Sequence, residues 1–186
     1  TVNCAKTIGD APPMSHAVMG NAGYNLLRTG VKLQRTLETI SEEPLQRRVM
    51  DTLGTGIGVD KAPGIYLEDA AGRPVYNFTF FDQIMDVIVT PRSIPFMGIA
   101  FMPEDLSVAV PPRDGRACKS GEGAENLPPE AGPARPKLSE PWMRVDRFPP
   151  RDYDRWYDLV HAMVTHCVER YGADCVSRWH WEFWNE

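Results

Sequence analysis

The residues best suited to chemistry stand together near Glu186: Trp181, Glu182, Phe183, Trp184, Asn185 and Glu186. On an extended strand side chains alternate, so Glu182, Trp184 and Glu186 point one way and Trp181, Phe183 and Asn185 the other, unless a bulge intervenes. Trp181 and Trp184 beside Glu186 would exclude water and raise the pKa of its carboxyl. A carboxyl kept protonated near neutral pH is ready to donate to a leaving oxygen. Aromatic faces also stack on sugar rings, and the Asn185 amide can hydrogen-bond a sugar hydroxyl. The plainer reading of the same residues is a tryptophan core with a fraying carboxylate at a chain end.

Other reactive side chains carry weaker patterns. His161 and His166 are five apart on a helix, so they do not share a face as a metal pair four apart would. They read as surface or packing residues, and His180, opposite Trp179, reads as core. The cysteines, Cys4, Cys118, Cys167 and Cys175, form no C-x-x-C pair, so no metal site is expected. Cys167 and Cys175 read as buried thiols, while a Cys4–Cys118 disulfide stays open. Gly54-Thr55-Gly56-Ile57-Gly58 lacks the Gly-Lys-Ser/Thr ending of a phosphate loop and reads as a turn, so no cofactor is expected. Asn77-Phe78-Thr79 is a glycosylation sequon.

The elements that must position these groups follow from periodicity. Leu26 to Ile40 and Leu45 to Leu53 read as helices. Gly64-Ile65-Tyr66-Leu67 is strand-like, and Asp69 to Pro74 is a turn. Phe78, Phe81, Ile84, Met85 and Ile88 recur at helical spacing, with Thr79 and Asp82 as a capping box and Thr90-Pro91 as the stop. Ile94 to Phe101 is a near-continuous apolar run, which suits a strand covered on both faces. Residues 108 to 148 are rich in Pro, Gly and charge and read as a loop insertion within one domain spanning 1–186. Asp152 to Tyr171 has one apolar helical face closed by Gly172, and Val176 to Trp184 reads as a strand. Helix, buried strand, loop, helix and strand make the repeat of a parallel α/β fold. In a (β/α)8 barrel, functional groups sit at the C-terminal ends of the strands. Two such ends are legible, Phe101 to Asp105 and Trp184 to Glu186.

Bulk properties narrow the classes. The 186 residues are 42% hydrophobic and 24% charged, with a net charge of −5. That balance allows a globular core and argues against a nucleic-acid partner. No apolar run approaches the roughly 20 residues that cross a membrane. The sequence starts at Thr1 without a signal peptide, which leaves the compartment undetermined, secreted and lysosomal locations included.

Val176-Ser177-Arg178-Trp179-His180-Trp181-Glu182-Phe183-Trp184-Asn185-Glu186 resembles strand four of glycoside hydrolase family 39, which includes β-xylosidases and α-L-iduronidases. In that family the strand ends in Trp-Asn-Glu and the glutamate is the acid/base. Three further pieces agree in order. Pro149 to Trp156, with Glu169 to Gly172 at the far end, resembles the preceding helix. Pro95 to Pro103 resembles strand three, and Gly72 to Phe78 with Asp82 resembles the turn and helix start before it. Ser15-His16-Ala17 is similar to the first barrel strand, which can supply a substrate-binding histidine. Departures are Gly98, where the family usually has a glutamate within strand three, and the lack of a recognisable strand two with Arg and His.

The resemblance implies an α/β fold: a partial (β/α)8 TIM barrel of about the first four βα units, truncated after strand four. It implies a retaining O-glycoside hydrolase acting on a β-xyloside or α-L-iduronide. Glu186 would be catalytic, and Asn185, Trp184 and His16 would bind a carbohydrate substrate. The family's nucleophile lies on a later strand, so the chain is expected to be inactive alone. The alternative is a non-catalytic carbohydrate-binding remnant or pseudoenzyme.

Overall fold

The computed structural model describes residues 16–41, 43–53, 64–108 and 148–183, with side chains from residue 23 onward. In chain order the regular elements are β1 (His16–Asn21), α1 (Arg28–Ile40), β2 (Leu45–Met50), β3 (Tyr66–Glu68), β4 (Pro74–Tyr76), α2 (Thr79–Ile88), β5 (Ser93–Gly98), α3 (Tyr153–Tyr171), α4 (Ala173–Val176) and β6 (His180–Glu182). Short 3-10 turns, Ala22–Leu26 and Glu104–Leu106, supplement them.

β1, β2, β5 and β6 form a four-stranded sheet in that spatial order. Every neighbouring pair is parallel. Each crossover carries a helix, as a parallel connection requires: α1 between β1 and β2, α2 between β2 and β5, α3 between β5 and β6. β3 and β4 make a separate antiparallel hairpin. The Asp69 carboxylate tightens its turn by accepting from the Ala71 and Arg73 amides, both at 2.9 Å.

The core lies between the sheet and α2 and α3. Val49, Met97 and Trp181 are register partners, so they share one face. Against that face α2 buries Phe81, Ile84, Met85 and Ile88, and α3 buries Trp156, Leu159, Met163 and Cys167. Both sets follow the three-and-four spacing of an amphipathic helix. Asp152 caps α3 by accepting from the amides of Asp154 and Arg155 at 3.1 and 3.2 Å. Gly172 ends it with φ of 84°, a conformation glycine adopts without a Cβ penalty.

Several expectations are corrected. Leu45–Met50 is a strand, not a helix, and it is the second strand of the sheet, which the sequence had seemed to lack. Leu45, Arg47 and Val49 are buried in alternation; a fully buried arginine disguised the period of two. α2 is not closed by a Thr79–Asp82 box. Phe78 is its N-cap, and the Asn77 side chain accepts from the Thr79 amide at 3.0 Å. Val176 ends a helical turn, and strand begins only at His180. His180 is exposed rather than core and meets Phe96 edge-on at 6.0 Å. Cys167 is a buried free thiol, as expected, whereas Cys175 is free but only half-buried. The Gly54–Gly58 loop, Cys4, Cys118 and nearly all of the 108–148 insertion lie outside the described residues.

Candidate active site

Because all four sheet strands are parallel, their C-terminal ends collect along one edge. The sheet face opposite the core carries Arg48, Phe96 and His180 in register, followed by Gly98 opposite Glu182. Arg48 reaches past β5 to grip Glu182. Its Nε donates to Oε2 at 2.8 Å and its Nη2 to Oε1 at 2.6 Å. This is the forked geometry that only arginine offers a carboxylate. Both side chains are half-buried, at 22% and 24% exposure, so water screens the pair only in part. Gly98 leaves room for it. A Cβ there would stand 3.3 Å from the Val49 carbonyl oxygen and 3.5 Å from Glu182 Oε2.

Hydrogen bonds lock the strand ends beyond this pair. The Thr52 hydroxyl donates to the Gly98 carbonyl at 2.6 Å. The Leu53 amide donates to Ala100 at 3.3 Å, and the Ile99 amide to Glu182 at 2.8 Å. Next to the end of β6, Met102, Phe148, Pro149, Pro150, Tyr153, Trp156 and Phe183 line an apolar cavity of about 280 Å³. Phe183 is 74% exposed there.

A second charged cluster fixes the start of α3. Glu68 is almost fully buried and is ion-paired with both Arg151 and Arg155. It accepts from the Tyr66 hydroxyl at 2.8 Å, and its amide donates to Asp105 at 2.9 Å. Burial, and then the hydrogen bond to Glu68 and its charge, push the Tyr66 hydroxyl pKa up. The hairpin, the Glu104–Leu106 turn and the N-terminus of α3 are thereby joined behind the strand ends.

The expected alternation on β6 holds where it is described: Trp181 packs against the core and Glu182 lies on the other face. Trp184, Asn185 and Glu186 lie outside the described residues. His16 opens β1, but its side chain is likewise outside them. His166 stacks on Phe78 at 4.1 Å, with its Nε2 2.6 Å from Asp82 Oδ1. Among the described residues no group of three or more His, Cys, Asp or Glu could hold a metal ion, and no helix is long and apolar enough to cross a membrane. Sequence reasoning missed Arg48. The alternation of Leu45 and Val49 about Arg47 was the available signal, and it would have placed Arg48 on the face opposite the core.

A profile of glycosyl hydrolases family 39 matches residues 45–113 and 137–186, which takes in β2, β5, α3 and β6. The chain belongs to this family. It is 32% identical over 126 residues to a β-xylosidase of Geobacillus stearothermophilus, covering 66% of this chain and 20% of that protein. A β-xylosidase of Caldicellulosiruptor saccharolyticus is 27% identical over 112 residues, covering 59% and 17%. The chain therefore spans about a fifth of the length of these relatives. The fold is similar to that of a family 39 enzyme from Xanthomonas axonopodis pv. citri, with a TM-score of 0.56 at 22% identity, covering 95% of this chain and 29% of that one. A monomeric β-xylosidase from Caulobacter crescentus CB15 gives 0.55 at 21%, with the same coverage. Family 39 membership thus rests on sequence, and the mixed α/β fold with its parallel sheet agrees with these enzymes in architecture.

Proposed function

We infer that residues 1–186 contribute the first four strands of a (β/α)8 glycosidase barrel and that Glu186 is its acid/base. The observation that carries this reading is the family match running to residue 186, on a chain whose β6 is parallel to β5 beside it. Glu186 protonates the glycosidic oxygen as its bond to the anomeric carbon breaks, while a second carboxylate about 5 Å away attacks that carbon. Glu186 then takes a proton from the water that releases the sugar. Asn185, Trp184 and His16 are proposed to bind the sugar. The second carboxylate belongs to a later strand of the family barrel. Of the two substrate classes the resemblance implied, a β-xyloside is favoured, because both relatives are β-xylosidases.

Glu186→Gln in the complete reading frame tests the assignment. It should slow hydrolysis of glycosides with poor leaving groups far more than that of activated aryl glycosides, and azide should partly restore turnover. Undiminished activity on poor leaving groups would overturn it. A second reading, a carbohydrate-binding remnant, is favoured by Gly98 and by a β2 without histidine. It requires xyloside binding with no turnover from the complete reading frame.

A further inference from the structure

We propose that Arg48 and Glu182 are positioning residues that aim the end of β6, and with it Glu186, while contributing no proton themselves. This rests on the reading of Glu186 as the acid/base. Glu182 is the last residue of β6, and its own carbonyl receives the Ile99 amide at 2.8 Å. Strand β6 is three residues long and pairs with β5 at three positions. Its backbone ladder is short, so a side-chain grip adds much of the restraint. Arg48 supplies that grip with two bonds, which fix the carboxylate plane as well as its distance. The grip passes over Gly98, where a Cβ would be tight against the Val49 carbonyl oxygen at 3.3 Å and in ordinary contact with Glu182 Oε2 at 3.5 Å.

Geometry rather than charge carries the effect. Misplacing a catalytic group by about 1 Å can cost about 100-fold in rate. An acid misplaced in this way harms substrates in proportion to their need for a proton.

The test uses the complete reading frame and the ratio of kcat on an activated aryl xyloside to kcat on an alkyl xyloside. Arg48→Met should raise that ratio about 10- to 100-fold with KM little changed. Glu182→Gln keeps the shape at Glu182 and should raise the ratio less, and Gly98→Ala should move it in the same direction. Losses that fall equally on both substrates would mean a general folding defect and would overturn the proposal. Glu186→Gln is measured alongside. If it raises the ratio and neither Arg48→Met nor Glu182→Gln does, the positioning role alone fails. If Glu186→Gln leaves the ratio unchanged, the acid/base assignment fails and the proposal with it.

Discussion

Arg47 is completely buried beneath α1, and its Nη2 lies 2.9 Å from Glu38 Oε1. The same Glu38 oxygen accepts from the Thr90 hydroxyl at 2.6 Å. One carboxylate thus joins α1, β2 and the turn after α2. Burial lowers the Arg47 pKa, and Glu38 opposes that shift.

Removing one partner of a buried ion pair leaves the other charge stranded, at about 3 kcal/mol or more. Glu38→Ala should therefore lower stability by about that amount. Arg47→Met removes the charge and keeps an apolar stem of similar length. Glu38, still 25% exposed and bonded to Thr90, can be solvated, so Arg47→Met should stay within about 1 kcal/mol of the parent. Urea midpoints at unchanged m-value measure both. Equal losses in the two variants would mean that the ion pair itself is strongly stabilising.

Glu68→Gln should cost about 3 kcal/mol, because it removes the buried charge that Arg151 and Arg155 both face. Salt should change that loss little, since the cluster is shielded from mobile ions. A loss that shrinks steeply between low and high salt would contradict the burial of this cluster.

The hydrogen bond from Arg170, assisted by that from Tyr171, holds the Asp86 carboxyl below its ordinary value of 3.8. A depressed folded-state pKa contributes stability that is complete above the unfolded value and is lost as pH falls through the folded one. Asp86→Asn should therefore lower stability slightly at neutral pH, flatten the acid limb, and converge on the parent as pH falls below about 4. Asp86 is 49% exposed, so the effect is small and salt-sensitive. An acid limb as steep in the variant as in the parent would refute this.

Burial, and secondarily Asp82, push the Cys167 thiol up to about 12. The thiolate is the reactive form, so iodoacetamide at pH 8 should label Cys167 only at the rate of unfolding. The half-buried Cys175 should be labelled without global unfolding. Peptide mapping over a labelling time course separates the two sites, and prompt labelling of Cys167 in native buffer would contradict its burial.

Local pattern alone determined the helices α1, α2 and α3, the buried strand β5 and the hairpin turn at Asp69. Each of these buries an apolar stripe or needs particular turn residues, and both signals are written in neighbouring positions. The Trp-Asn-Glu motif was read from family resemblance, and residues 184–186 lie outside the described ones. Tertiary structure decided the rest. β2 carries a buried arginine, which is tolerated only because Glu38 and the Gln34 carbonyl lie across α1. Neither partner can be read from Leu45-Gln46-Arg47-Arg48-Val49-Met50. The Arg48–Glu182 pair joins residues 134 positions apart, so it exists only once β5 has brought β2 and β6 to opposite sides of Gly98. His180 turned outward because register with Phe96 fixed its face, and one residue of register reverses every side chain on a strand.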